Sequence, residues 1–192
     1  MESALIVSCV KKDTAFFTEM LHAASIRQIT VLESCGEVRR LLLGHDVDLV
    51  IVNAPLRDES GESLARQIVS LGTAQTILVV KSEHFESVAA VCENDGVLTL
   101  SKPVDRTLFL SALTLSKAAH NRIKKIQGEN EQLKLKMEDI RIINRAKWIL
   151  VAQLKMSEQD AHQFIEKQAM NRRSTKRSVA EAVLKTYGKA DE

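Results

Sequence analysis

Residues 48–53 read DLVIVN, from Asp48 to Asn53, and this stretch decides the fold of the first half. Side chains alternate between the two faces of a strand, so four consecutive aliphatic residues need cover on both sides. A strand apolar on both faces belongs inside a parallel sheet flanked by helices. Working outward, Ala4–Val10, Ile29–Leu32, Thr76–Val80 and Val97–Leu100 are further runs of strand length. Between them, Thr14–Ala24, Gly36–Leu43, Ser63–Leu71 and Phe85–Glu93 carry helical apolar spacing, with Asp13 placed to cap the first, and a fifth helix begins near Asp105. The alternation predicts an α/β, flavodoxin-like, doubly wound five-stranded parallel sheet. In such a sheet the working crevice lies beyond the carboxyl ends of the strands. That rule selects Ser8, Cys9, Asn53, Lys81 and Lys102.

Composition narrows the function. Two prolines and seven glycines in 192 residues favour long helices and short loops. Cys9, Cys35 and Cys92 stand far apart with no CxxC pair and no zinc spacing, which predicts buried thiols in a reducing cytosol and no metal. The apolar run after Met1 is too short for a signal sequence or a membrane span, so a cytoplasmic protein without membrane contact is expected. The five histidines are scattered, no GxGxxG or GKS/T motif occurs, and no catalytic constellation or cofactor site is read. Aromatic residues make up 4%, too few for a sheet of base-stacking rings. Charge is uneven: residues 1–105 carry net −6, 106–140 net +3 and 141–192 net +5. An acidic front and a basic tail suggest a regulatory half and a half that binds a polyanion.

Between them lies an apolar seam, residues 116–144. Ile123, Asn130, Met137 and Asn144 share one heptad position, and Ala119, Ile126, Leu133 and Ile140 the position three residues later. This 3-4 spacing is that of a coiled coil, and a buried Asn such as Asn130 fixes register and strand number. A homodimer is predicted through Ile123, Ile126, Asn130, Leu133, Met137 and Ile140. The alternative is one amphipathic helix packed on its own domain.

DLVIVNAPL followed by SGESLA, ILVVKSE and GVLTLSKPV resembles the receiver domain of response regulators, over about residues 3–118. The resemblance implies an acidic pair for Mg²⁺, an Asp that accepts phosphate, a hydroxyl residue and a Lys. Only Lys102 matches. Ser8 and Cys9 stand at the acidic pair, Asn53 at the acceptor and Lys81 at the hydroxyl, while Thr99 falls near the family's switch aromatic. An amide is no phosphoryl-accepting nucleophile, and Mg²⁺ needs hard oxygen ligands. A pseudo-receiver without phosphorylation is therefore predicted, with Lys81 and Lys102 facing each other across a crevice that holds no anion. The competing register makes Asp58 the acceptor.

After Asn144 the apolar face moves to Ala146, Ile149, Leu150 and Leu154. A break follows at Lys155-Met156, then a helix capped by Ser157 with Asp160 three residues on, a polar interruption at 171–175, and a helix over Ser178–Thr186 carrying Val179, Ala182 and Val183 and closed by Gly188. Three short helices at the end of the seam are expected. RIINRAKWIL, MSEQDAH, EKQAMNRR and SVAEAVL resemble the ANTAR domain, the RNA-binding module of transcription antitermination regulators, over about 141–187. The order of pseudo-receiver, coiled coil and ANTAR domain is similar to that of the amidase-operon and nitrate-assimilation antiterminators. Arg145, Lys147, Lys167, Asn171, Arg172, Arg173, Lys176 and Arg177 are the residues placed on RNA, because guanidinium groups fork onto phosphates and stack on unpaired bases.

The segments are 1–115, 116–144 and 145–192. The resemblance implies binding to hairpins in a nascent leader transcript, which keeps a terminator from forming and concerns RNA polymerase only indirectly. It also implies control by a small-ligand sensor protein that sequesters the chain. A DNA-binding response regulator is one alternative, although Ser157-Glu158-Gln159-Asp160 is a poor start for a recognition helix. A dimeric signalling scaffold is the other.

Overall fold

The computed structural model describes residues 1–72 and 74–188. The first unit, Met1–Lys125, holds strands β1 (Ser3–Val7), β2 (Gln28–Leu32), β3 (Leu49–Asn53), β4 (Gln75–Lys81) and β5 (Leu98–Lys102). They form one parallel sheet in the order β2-β1-β3-β4-β5. Helices α1 (Lys11–Ala23), α2 (Cys35–Leu42), α3 (Glu62–Ser70) and α4 (Ser82–Cys92) alternate with them. This is the doubly wound, flavodoxin-like order.

Every residue of β3 is buried, as its unbroken apolar run requires. The alternation of its side chains divides the core in two. Val50 and Val52 join Leu5, Val7, Leu78 and Val80 under α2, α3 and α4, with Val38, Leu64 and Ile68 facing them. Leu49 and Ile51 join Ile6, Ile77 and Val79 on the other face, under Phe17, Met20, Leu21 and Phe109. Phe16, Phe17 and Phe109 meet edge-on or tilted, at centroid distances of 5.2–6.0 Å.

Two local expectations are corrected. Helix α1 starts at Lys11, so Asp13 lies in its first turn, and the cap is Val10 without a side-chain bond. The Asp13 carboxylate is committed to a partner in the strand-end crevice instead. The basic tail does not open with a separate helix: α5 is continuous over Arg106–Leu154, 49 residues, and its last turns serve as the first helix of the tail. No proline interrupts 106–154 to end the helix at Asn144.

The second unit begins at Ile126, inside α5. After Lys155, at φ 55°, the chain enters α6 (Glu158–Asn171), whose cap Ser157 Oγ accepts the Asp160 N–H, and then α7 (Lys176–Tyr187), capped by Thr175. Ala146, Leu150, Ala161, Ile165, Ala169, Val179, Ala180 and Val183 form its core. Small residues let the three segments approach closely. Ala180 takes the buried place expected for Ala182, and Leu154 is 41% exposed, outside that core. Gly188 closes α7 with φ −80°, not in the left-handed form.

Candidate functional site

The strand-end crevice brings Ser8, Asn53 and Lys102 together. Asn53 is 1% exposed, and its Nδ2 donates to Ser8 Oγ and Asp13 Oδ2, both at 2.9 Å. A carboxylate can only accept, so this pair fixes the orientation of the amide. Asn53 Oδ1 is left buried without a partner. Lys102 Nζ donates to the Ala54 carbonyl at 2.7 Å, and burial, with Lys81 adding to it against Asp13, holds its ammonium below the usual lysine range. Lys12, Asp13, Phe16, Lys81 and Pro103 contribute to the walls of a cavity of ≈ 560 Å³.

Three expectations change here. The crevice does hold an anion, since Asp13 reaches Asn53 from forty residues away. Lys81 is exposed and pairs with Glu83 at 3.5 Å, so the two lysines do not simply confront each other. Cys9 turns outward, and its thiol donates to the Glu33 carbonyl at 3.1 Å. The site therefore contains an amide, one carboxylate and an ammonium, with no nucleophilic carboxylate at the end of β3. Asp58 accepts the Cys35 and Gly36 N–H groups at 3.1 Å each, which caps α2 and holds its carboxyl below the usual range. Among the described residues, Cys35, Asp58 and Glu59 alone cluster like metal ligands. Burial pushes the Cys35 thiol up to about 11, and Glu59 is bound by Arg39, so these groups are already engaged.

Along α5 the seam side chains are exposed: Ile123, Ile126, Leu133, Met137 and Ile140 each show 44–59% of their surface, with Asn130 exposed among them. An apolar stripe of this kind asks for cover.

The tail sorts its basic residues into two sets. Lys147 pairs with Glu158 at 3.2 Å, Lys176 with Glu166, and Arg177 with Asp139 at 2.9 Å and Glu181 at 2.8 Å. These three tie the helices of the module to one another. Arg145, Lys167, Arg172 and Arg173 are exposed and form no ion pair among the described residues, and Asn171 is exposed beside them. The turn after α6 sets Arg172 and Arg173. Arg173 N–H bonds the Met170 carbonyl at 3.2 Å, and Ser174 N–H bonds the Ala169 carbonyl at 3.0 Å. This is a Schellman closure, and its left-handed position is held by Arg173 at φ 48°, where glycine is usual. A long cation in that strained position is presented outward by the backbone itself. Met170, at the end of α6, is 78% exposed, and Trp148, on α5, is 74% exposed.

Residues 131–184 match the ANTAR domain family. The chain is 29% identical over 144 residues to the transcriptional regulatory protein PdtaR of Mycobacterium tuberculosis, covering 75% of this chain and 70% of that one. It is 30% identical over 122 residues to the aliphatic amidase regulator of Pseudomonas aeruginosa, covering 61% of each. The first unit is similar to the signal receiver domain of an HD domain-containing protein from Pseudomonas fluorescens, with TM-score 0.56, 22% identity, 64% of this chain and 91% of that one covered. It is also similar to a two-component transcriptional regulator AraC from Clostridium phytofermentans, with TM-score 0.57, 18% identity and coverage of 65% and 98%. These two likenesses show a receiver fold. No helix among the described residues is long and apolar enough to cross a membrane.

Proposed function

We infer, from a chain that carries an ANTAR domain behind a receiver-like domain, an RNA-binding transcription antitermination regulator that acts on hairpins of a nascent leader transcript and keeps the terminator from forming. The observation that carries the RNA contact is the α6–α7 turn. There Asn171, Arg172 and Arg173 stand exposed and, among the described residues, free of acidic partners, with Lys167 one turn earlier and Arg145 on α5. Unpaired guanidinium groups suit phosphates and splayed bases. Lys147, Lys176 and Arg177 brace the module.

The receiver-like domain works without phosphorylation and without catalysis of its own, because the side chain at the acceptor position is the Asn53 amide. Its control is by protein contact, and a small-ligand sensor protein that sequesters the chain is the partner proposed. Two copies join through the α5 seam over 116–144, between a pseudo-receiver at 1–115 and the RNA-binding segment from 145, in the cytoplasm. Gel shifts with leader hairpin RNA and with duplex DNA of the same sequence test the reading. RNA is shifted at low salt and DNA is not, and a chain that ignores the hairpin refutes it. Incubation with a small phosphodonor and Mg²⁺ leaves the intact mass unchanged, and a stable phosphoryl adduct refutes the pseudo-receiver.

A further inference from the structure

Trp148 is the single tryptophan of the chain, and 74% of it is exposed on α5. Burial of an indole contributes more than that of most side chains, and this one lines a concavity into which a flat partner could settle. Its surroundings say which kind. On a helix surface, residues three and four positions apart are neighbours. Trp148 is thus flanked by Arg145, exposed and without an ion pair among the described residues, and by Asn144, also exposed. Asn144, Lys147, Trp148, Val151 and Glu158 line a concavity of ≈ 400 Å³. Lys147 Nζ and Glu158 Oε1 lie 3.2 Å apart on its rim, so the rim has both signs of charge and little net charge. A neutral polar ring suits such a rim better than a phosphate does, because its edge hydrogen-bonds either sign while its face takes the indole.

The apolar seam does not claim this place. Past Ile140 its next two positions are Asn144 and Lys147. An apolar helix laid across them would strip water from the Lys147–Glu158 pair, which a buried pair does not readily repay. We propose that Trp148 is the seat of one unpaired nucleotide of the bound RNA, its base stacked on the indole above Asn144 and the Lys147–Glu158 pair, and its phosphate held by Arg145. The site would select for splayed, single-stranded bases over paired stem, because a base inside a duplex has no free face to offer.

This inference rests on the RNA-binding reading above, and its test separates the two. Because there is one indole, its emission reports this site alone. The full-length protein is titrated with leader hairpin RNA and with a blunt, fully paired duplex of the same stem, with gel shifts run in parallel. Emission falls with the hairpin, saturating where the gel shift saturates, and stays constant with the duplex. Trp148→Ala binds the hairpin about 5- to 100-fold more weakly, whereas Trp148→Phe keeps a stacking plane and stays within about threefold. A hairpin that shifts in the gel with unchanged emission and full affinity in Trp148→Ala overturns the seat and leaves the RNA reading standing. No gel shift at all overturns both. Emission that follows protein concentration and ignores RNA assigns the indole to a second copy and overturns the seat.

Discussion

Replacing Arg173 by Gly should move stability and RNA affinity in opposite directions. Arg173 holds φ 48° in the closure of α6, and a side chain in that region costs roughly 1–2 kcal/mol. Glycine removes that strain but gives up about 0.5–1 kcal/mol through its freer unfolded chain. The net gain in module stability is therefore on the order of 0.5–1 kcal/mol. The lost guanidinium removes a charge-assisted contact of about 1.5–3 kcal/mol, or roughly 10- to 150-fold in affinity. Hydrogen exchange of the α6 and α7 amides at rising urea reads the first quantity, since those amides belong to this module. Fluorescence anisotropy with labelled hairpin RNA reads the second. Arg173→Ala is the control, because it keeps a β-carbon in the left-handed position and loses the charge, so it weakens binding without the gain in stability. The reasoning is refuted if Arg173→Gly unfolds at lower urea than the parent, or if it binds hairpin RNA unchanged.

Salt dependence counts the phosphate contacts. With Arg145, Lys167, Arg172 and Arg173 on phosphates, log affinity should fall against log salt with a slope near −3 per module, at about 0.7–0.9 per contact. A slope near −6 would instead recruit the paired Lys147, Lys176 and Arg177, and Arg177→Ala would then weaken binding where a loss of module stability alone is expected. Asn130→Leu should raise the stability of the coiled coil while releasing its register, seen as species larger than a dimer in sedimentation velocity; a sharp dimer would reject Asn130 as the specifying residue. Burial of Asp48 opposes its charge, but the Glu2 and Ser3 N–H groups outweigh that and hold its carboxyl below the usual value. A carboxyl depressed in the folded state contributes fully above its unfolded value of about 3.9 and loses that contribution as pH falls through the folded value. Asp48→Asn should therefore flatten the acid limb of the unfolding curve, and an unchanged limb would exclude this carboxylate as a cause.

What could be read from the chain follows from the range of each interaction. The run Leu49–Val52 announces a doubly covered strand because burial of alternate side chains is a local pattern. Ser157 and its bond with Asp160 are legible for the same reason. Asp13 was not, because only the folded sheet brings the first turn of α1 onto the end of β3. The partition of the basic residues was hidden likewise: the Arg177–Asp139 pair joins positions 38 apart, and no spacing rule reports it. Arg173 escapes because the usual signal for a left-handed closure is glycine, and here arginine occupies it. The heptad spacing of Ile123 to Ile140 was readable, and the exposure of these side chains shows an apolar stripe that the chain itself leaves uncovered.

The bond between the Asn53 amide and Asp13 sets what the strand-end crevice can tolerate. Changing Asn53 to aspartate would set its buried carboxylate against that of Asp13, with the donor that now joins them gone. Like charges at such range do not both ionise readily, so the exchange would destabilise the domain at neutral pH. Asp13 would have to change, or a cation be recruited, in the same step. The amide and the carboxylate are thus tied to each other, and neither position can vary alone.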